Sequence, residues 1–203
     1  MKNQSRLLQT RAGAIHFPAY IPVTTFGNKY PLDNLIRPYL LRLSQAMMVS
    51  FHYARQINES VRLPLLVDSG GFASLFESNS VSAKKGLGVL QTNIDGKKEK
   101  IHPTDVLELQ ERIADVAFTL DFPIPPGTDL KEAQKRQRLT IANAHWALAN
   151  RRRKDLRLYA VAQAWDAESA AALMFQTVHL HVRRENEEFS KNFAVLPGSS
   201  PRA

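Results

Sequence analysis

The segment from Leu65 to Phe72 constrains the fold more than any other part of the sequence. It reads LLVDSGGF, so that an apolar run stops abruptly at a carboxylate. A short apolar run of this kind is typical of a parallel strand buried on both faces. Asp68 then lies at the carboxyl end of the strand, where α/β folds bind their ligands. A tight strand-to-helix turn capped by Asp68 explains the same letters, and a short motif alone does not separate the two interpretations.

The residues after the strand indicate what kind of ligand such a site would take. Gly70 and Gly71 permit positive φ and let the backbone approach a ligand closely. Phe72 offers a flat face for stacking, although an aromatic residue after a strand is also common in a core. Together with the Asp68 carboxylate, these features favour a planar, polar ligand such as a nucleobase.

Short apolar segments alternate with helix-like segments five times along the chain. The strand-like segments are 19–23, 46–50, 65–67, 116–120 and 158–162. Three of them are followed by a polar residue: Asp68, Asp121 and Gln163. Because the carboxyl ends of parallel strands meet at one mouth of a barrel, the pattern predicts an α/β fold of the parallel-barrel type with these side chains at its mouth.

Two β-hairpins are predicted in addition to this alternation. The first spans 7–20 with its turn at 11–13, and the second is an insertion at 84–101 whose tip is Asp95-Gly96. The predicted helices are 31–43, disturbed by Pro38, one opening at Pro103, one from Asp129 to about Asn150, and 166–175.

Composition narrows the class of protein. Of the 203 residues 44% are hydrophobic, which is enough to bury a core in one domain, and no apolar run approaches the ~20 residues of a membrane span. We therefore expect a cytoplasmic protein without a membrane partner. The absence of cysteine excludes disulfides, thiolate metal sites and a cysteine nucleophile. The net charge of +8 slightly favours a polyanionic partner such as tRNA or DNA.

Five ordered segments resemble the tRNA-guanine transglycosylase family, of the queuine or archaeosine type. Residues 64–72 are similar to the family's P-[IL]-L-T-D-S-G-G-[FY]-Q motif. The other four segments follow in the family's order and rough spacing: 10–22, 94–110, 115–121 and 159–163. The resemblance covers about residues 7 to 175. It implies a (β/α)8 barrel that exchanges a guanine in a nucleic acid for a 7-deazaguanine, with an aspartate nucleophile and a zinc subdomain.

The resemblance also implies roles for individual residues. Asp68 would be the catalytic carboxylate that handles protons, Phe72 would stack on the base, and Asp121 and Gln163 would read its edge. The rest of the base-binding turn would be Ser69, Gly70 and Gly71. The chemistry agrees, because a purine departs more easily when an acid protonates it, and a carboxylate nucleophile divides the exchange into two displacements. A loop aspartate at 121 and a structural amide at 163 are the alternatives.

The sequence departs from the family pattern in two ways. Beside the base pocket, Ala73, Phe122-Pro123 and Ala164-Trp165 stand where the family carries other residues, which makes a DNA-modifying relative an open option. The family's sixth strand, nucleophilic aspartate and zinc ligands have no counterpart, and thiolate ligation of zinc needs cysteine. We therefore expect a chain truncated at its C-terminus, with no cofactor and no metal. It would comprise about five βα units over 1–176 and a divergent tail over 177–203.

The sequence leaves two classes of function open. One is a pentosyltransferase that exchanges guanine for a 7-deazaguanine in tRNA or DNA, although activity of this chain alone is doubtful without the nucleophile. The other is a non-catalytic base- or nucleic-acid-binding module, or an accessory subunit that completes its barrel with another chain or a second copy. An open barrel exposes a strand edge, which predicts marginal stability or dependence on a partner. Weaker candidates for nucleic-acid contact are Lys97, Lys98 and Lys100, which a solvated hairpin also explains.

Overall fold

The computed structural model describes residues 6–27, 29–31, 33–57, 61–94 and 96–171. Its strands are β1 (Arg6–Gln9), β2 (Ala14–Phe17), β3 (Val23–Thr24), β4 (Met47–Ser50), β5 (Leu65–Asp68), β6 (Ser80–Lys84), β7 (Leu87–Ile94), β8 (Lys97–Ile101), β9 (Val116–Phe118) and β10 (Arg157–Tyr159). Its helices are α1 (Asp33–Ile36), α2 (Leu40–Leu43), α3 (Phe51–Ala54), α4 (Pro103–Ile113) and α5 (Leu130–Asn150), with 3-10 helices at Arg37–Tyr39 and Gly71–Leu75.

A five-stranded parallel sheet forms the centre of the molecule. Its strands lie in the order β10-β9-β5-β4-β3, and every neighbouring pair is parallel. The predicted α/β class and parallel strand pairing are therefore confirmed. Within the described ranges the sheet is open, with β3 and β10 as its edges, so the closed barrel stays a prediction.

Two strands, β9 and β10, end earlier than their apolar runs predict. β9 stops at Phe118 because side chains take over the carbonyl oxygens of the ladder. The amide of Gln110 donates to the Phe118 oxygen (2.8 Å), and the amide of Asn143 donates to the Leu120 oxygen (3.1 Å). These side chains leave residues 119–121 free to form a loop while their backbone stays hydrogen-bonded.

The N-terminal hairpin covers one face of this sheet. β1 and β2 pair antiparallel, and the Thr10 N–H closes the turn on the Gly13 oxygen (3.0 Å), as predicted. Ile15 is fully buried and packs with Ala46, Leu66 and Val116. The hairpin thus closes the amino-terminal side of that face, and the carboxyl ends of the strands stay open.

A second sheet is inserted between β5 and β9. The predicted hairpin is β7 with β8, and its tip residue Asp95 lies outside the described residues. A third strand, β6, pairs with β7 and was not predicted, because its letters SVSAK are mostly polar and exposed. Gly88 of β7 approaches α5 so closely that a methyl group there would lie 2.9 Å from the Leu139 side chain.

The helices begin where the sequence predicts. Asp105 accepts a hydrogen bond from the His102 N–H (2.8 Å) at the start of α4, and Asp129 accepts one from the Glu132 N–H (3.2 Å) at the start of α5. The segment 33–43 is interrupted at Pro38 by a 3-10 turn, as expected. Residues 167–171 are helical, whereas the rest of the predicted 166–175 helix and the tail 177–203 lie outside the described residues.

The main core fills the space between the sheet and the helices. Its most buried members include Val67 of β5, Ala117 of β9, Val106 of α4 and Leu139 of α5. In the part of the chain that the structure describes, no helix is both long and apolar enough to cross a membrane.

Candidate functional site

The carboxyl ends of β5, β9 and β10 bring the predicted polar residues to one place. Asp68 is the last residue of β5, and Asp121 and Gln163 lie in the loops after β9 and β10. The Gln163 amide donates to Asp121 Oδ2 (2.7 Å), and the Ser69 hydroxyl donates to Asp121 Oδ1 (2.7 Å). Residues nearly a hundred positions apart therefore form one hydrogen-bonded cluster.

Two glycines shape the turn that follows β5. Gly70 has a φ of +78°, a left-handed conformation that favours glycine, and its N–H donates to Asp68 Oδ2 (3.3 Å). Gly71 donates to the Ser69 hydroxyl oxygen (3.2 Å). A methyl group on Gly71 would collide with the backbone oxygen of Asp121 and lie 2.9 Å from its carbonyl carbon. The turn and the Asp121 loop can meet only because position 71 has no side chain.

Asp121 is a buried carboxylate with both oxygens occupied. Its exposed fraction is only 7%. Burial raises its pKa to about 6, and the negative charge of Asp68 raises it as well, while the hydrogen bonds from Ser69 and Gln163 act in the opposite direction. The carboxyl group therefore changes its charge at mildly acidic pH instead of near pH 4.

Asp68 faces a similar environment. Burial raises the pKa of its carboxyl group, and the backbone N–H groups of Gly70 and Ser69 oppose that rise. Two neighbouring carboxyl groups with raised pKa values are suited to hold and release a proton between them. Asp68 Oδ2 also accepts the Gly70 N–H of the turn, so its catalytic role stays a prediction beside the capping one.

Phe72 lies at the rim of the cluster on the 3-10 helix Gly71–Leu75. Its ring is 62% exposed and meets the 55% exposed ring of Phe76 edge to face, with centroids 6.0 Å apart. The alternative that Phe72 is a core residue is therefore wrong. An exposed aromatic face on the turn that follows Asp68 is available for stacking on a planar ligand.

The three predicted lysines lie on β8, away from the carboxylates. All three are exposed: Lys97, Lys98 and Lys100. Lys98 pairs across the ladder with Asn93, whose N–H donates to the Asn79 side chain (2.8 Å) just after the Phe72 helix. Asn79 in turn donates to the Ala73 oxygen, so hydrogen bonds link β7, the neighbour of β8, to the Phe72 helix. Glu99, between the lysines, pairs with Arg55.

Sequence reasoning missed the residues that share a row with Asp68. Ser50 pairs with Asp68, Val67 pairs with Ala117, and Phe118 pairs with Tyr159. This register places Phe118 next to Asp68 on the same face of the sheet, and its ring stacks on that of Tyr159 at 6.0 Å. The two-residue period of the strands was the signal that could have found them.

The arrangement combines a hydrogen-bonded carboxylate, an exposed aromatic ring and two carboxyl groups whose pKa values are raised. Among the described residues, no group of three His, Asp or Glu side chains is placed to hold a metal ion. The side chains that the structure brings together at the site are those of Asp121, Ser69 and Gln163.

Comparisons with known proteins match most of the chain. A family model described as queuine tRNA-ribosyltransferase matches residues 4–183. The chain is 29% identical over 159 residues to the queuine tRNA-ribosyltransferase of Thermodesulfovibrio yellowstonii, which covers 70% of this chain and 39% of that protein. It is 31% identical over 152 residues to that of Leptospira biflexa (66% and 38%), and 26% identical over 162 residues to that of Lawsonia intracellularis (71% and 42%). The chain spans about two fifths of the length of these relatives.

Proposed function

Since the chain belongs to the queuine tRNA-ribosyltransferase family, we propose that its site binds guanine or a 7-deazaguanine for base exchange in a nucleic acid. The observation that carries this proposal is the Asp121 cluster. A buried carboxylate held by Ser69 and Gln163 lies at the ends of parallel strands, and its backbone abuts Gly71, the residue before the exposed Phe72.

The hydrogen-bonding pattern of guanine fits this cluster. Guanine presents an N1–H and a 2-amino group side by side, and an ionised carboxylate accepts both at once. The amide of Gln163 can then turn its donor from Asp121 to the O6 of the base. Phe72 covers one face of the ring, so that Asp121, Gln163 and Phe72 fix the base in position and plane.

Asp68 supplies the proton chemistry in this proposal. Cleavage of an N-glycosidic bond is easier when the departing purine is protonated, and a carboxyl group with a raised pKa holds a proton for that step. The ribose also needs a carboxylate nucleophile, and we assign none of the described residues to that step. The proposed role of this chain is therefore base binding and proton transfer.

Base exchange requires strands and a polymer substrate beyond the site described above. We propose that the five-stranded sheet is part of a (β/α)8 barrel and that the complete machinery contains further strands, from this polypeptide, a second copy or another subunit. The polymer is tRNA or, as in a DNA-modifying relative, DNA. Exchange into tRNA would place the protein in the cytoplasm.

A base-binding module without exchange activity is the second candidate. It is favoured by the site itself, because the described residues supply hydrogen-bonding groups and an exposed aromatic ring for a base, and we assign none of them as the nucleophile. The apolar surface beside the β3 edge supports the related role of an accessory subunit. That surface consists of exposed residues: Tyr20, Val23, Leu35, Tyr39 and Leu43.

One pair of measurements tests these functions. Titration calorimetry gives the affinity of the purified chain for guanine, and incorporation of radiolabelled guanine into tRNA and duplex DNA gives exchange. Binding with incorporation supports the transferase, and the labelled polymer identifies the substrate. Binding without incorporation supports the binding module, and incorporation only with an added subunit supports the accessory role. No binding of guanine or a 7-deazaguanine by the folded chain would refute the proposal.

A further inference from the structure

One helix contacts both loops that form the candidate base site. Arg136, on α5, donates from one guanidinium nitrogen to the Ser74 hydroxyl (3.1 Å) and to the Pro123 carbonyl oxygen (3.0 Å). A second nitrogen donates to the Ser74 carbonyl oxygen (3.4 Å). Ser74 belongs to the helix that carries Phe72, and Pro123 follows Asp121 by two residues. The guanidinium therefore joins the stacking surface to the loop of the base-reading carboxylate.

The geometry of this link is specific to arginine. The side chain is 13% exposed, and its Nε donates to Glu132 Oε1 (3.0 Å), one turn earlier on α5. A guanidinium presents its donors in a rigid planar fork, whereas a lysine ammonium is a point charge on a flexible chain. Because Glu132 fixes one side of the plane, the opposite side is directed at Ser74 and Pro123.

The next residue of α5 contacts the third part of the site. Gln137 donates to the backbone oxygen of Gln163 (3.0 Å) and to that of Ser169 (3.4 Å). The Gln163 side chain in turn holds Asp121 Oδ2. Gln137 therefore fixes the backbone from which the amide reaches the carboxylate.

We propose that Arg136 and Gln137 are positioning residues of the base site. Arg136 sets the distance between the Phe72 ring and the Asp121 loop, and Gln137 sets the position of Gln163 relative to Asp121. This inference rests on the proposed function, because it assigns these residues to base recognition through other groups and not to direct contact with the base.

The need for such residues follows from how the site is built. The Phe72 helix and the Asp121 loop both lie beyond the ends of their strands, where ladder hydrogen bonds no longer hold them. A purine that stacks on one and hydrogen-bonds to the other requires both to stay in register. A relative displacement of the helix and the loop by a fraction of an ångström would strongly weaken the aligned hydrogen bonds to the base.

Arg136→Met tests the first half of the proposal, with Arg138→Met as its matched control. Arg138 is exposed on the same helix, and its replacement removes the same charge. We expect Arg136→Met to weaken guanine binding by roughly tenfold or more, as the loss of a buried charged hydrogen-bond donor commonly does. Amide hydrogen exchange should accelerate in residues 71–76 and 122–124. Arg138→Met should change neither quantity, and Arg136→Lys should restore part of both.

Gln137→Leu tests the second half, with Gln134→Leu as the exposed control on the same helix. If Gln137 positions the Gln163 amide, replacing Gln137 weakens the hydrogen bond from Gln163 to Asp121. That hydrogen bond lowers the pKa of Asp121, so the pKa should rise. The pH midpoint for guanine binding should then move upward in Gln137→Leu and stay in place in Gln134→Leu. A purely structural weakening would lower the affinity without moving the midpoint.

The outcomes separate this inference from the proposed function. If amide hydrogen exchange at 71–76 and 122–124 is as slow in Arg136→Met as in the wild type, the role of Arg136 is overturned, whether or not guanine binds. An unmoved pH midpoint in Gln137→Leu would overturn the role of Gln137. Failure of the wild-type chain to bind any guanine base refutes the proposed function, and with it the role in base recognition. If Arg136→Met does not fold, Arg136→Lys is compared with Arg138→Lys. Amide hydrogen exchange rates and a guanine affinity equal to those of the wild type in Arg136→Lys would refute the proposal.

Discussion

At the scale of single residues, Asp121 shows how a polar site is kept inside a folded chain. A buried carboxylate is costly unless donors satisfy it, and here one hydroxyl and one amide do so. The residual cost is visible in the raised pKa of about 6. Since the usual pKa of an aspartate in an unfolded chain is near 3.9, the folded state holds this proton more tightly than the unfolded state does.

The raised pKa predicts how stability changes with pH. The free energy of unfolding should fall as pH rises from about 4 to about 6.5, because the unfolded chain loses the Asp121 proton first. Above about pH 6.5 the contribution of the Asp121 proton to the free energy of unfolding, on the order of 2 to 3 kcal/mol, is fully lost. Asp121→Asn should remove this part of the fall, and Asp155→Asn, at an exposed position, should keep it. Urea unfolding across that pH range is the measurement, and equal slopes in wild type and Asp121→Asn would contradict the assignment.

Phe72 provides a second prediction at this scale. Because its ring is mostly exposed, Phe72→Leu should leave the free energy of unfolding within about 0.5 kcal/mol of the wild-type value. Loss of base stacking should weaken guanine binding by roughly tenfold, given that such stacking contributes about 1 to 3 kcal/mol. Phe76→Leu, at the other exposed ring of the pair, should weaken binding less. Equal affinities in Phe72→Leu and wild type, measured by calorimetry, would remove Phe72 from the base site.

At the scale of elements, much of the architecture follows from local sequence patterns. Short apolar runs located all five parallel strands to within a few residues, and Asp129 and Pro103 marked helix starts. The strand β6 was missed because only Val81 of its five residues is buried. The contacts of α5 were out of reach for another reason: Arg136 and Ser74 lie 62 positions apart, and no local pattern encodes that pairing.

The close approach of two loops at Gly71 predicts the effect of a single methyl group. Gly71→Ala should destabilise the chain by about 3 kcal/mol or more and abolish guanine binding, because the Asp121 backbone blocks the added carbon. Gly86→Ala is the matched control. Gly86 has a φ of +82° and open space around it. The Gly86→Ala substitution should therefore cost only about 1 to 2 kcal/mol of backbone strain and leave guanine binding intact. Thermal unfolding with calorimetry distinguishes the two, and a Gly71→Ala variant that binds normally would show that the loops can separate.

The buried amide of Asn143 predicts a large cost in stability. It accepts from the Gly88 N–H (2.8 Å) and donates to the carbonyl oxygens of Gly88 and Leu120. Asn143→Leu leaves these backbone groups without partners, and each unsatisfied buried group costs about 1 to 3 kcal/mol. Asn150→Leu, at the exposed end of the same helix, should cost much less. Urea unfolding measures both, and a cost below about 1 kcal/mol for Asn143→Leu would mean that water replaces the amide.

At the scale of the whole molecule, charge decides how a polyanion would approach. The chain carries a net charge of +8, and Asn93, the ladder partner of Lys98 on β8, is hydrogen-bonded to Asn79 just after the Phe72 helix. Attraction of this kind acts on phosphates without reading sequence and weakens as salt screens it. It would therefore bring a nucleic acid to the rim, while recognition of the base is left to the carboxylates.

The salt dependence of RNA affinity tests whether the β8 lysines attract the phosphates. The double substitution Lys98→Gln with Lys100→Gln should weaken binding of single-stranded RNA and reduce the slope of log affinity against log salt by about 1.4. The double substitution Lys131→Gln with Lys154→Gln removes the same charge at exposed sites elsewhere and should leave most of that slope. Fluorescence anisotropy at several salt concentrations provides the slopes. Identical slopes in the two double variants would show that binding depends on net charge alone.

The hydrogen bonds of Asp121 also set a threshold for any molecule that enters. Both carboxylate oxygens of Asp121 accept hydrogen bonds from the chain itself, so a ligand that displaces the Gln163 amide must supply donors of its own. A guanine edge offers two donors and an acceptor for the freed amide. An adenine ring presents an acceptor at N1 and no 2-amino group, so it would leave the buried carboxylate short of a partner. Discrimination between purines would thus arise from the hydrogen bonds that Ser69 and Gln163 make to Asp121 as much as from the contacts of the base.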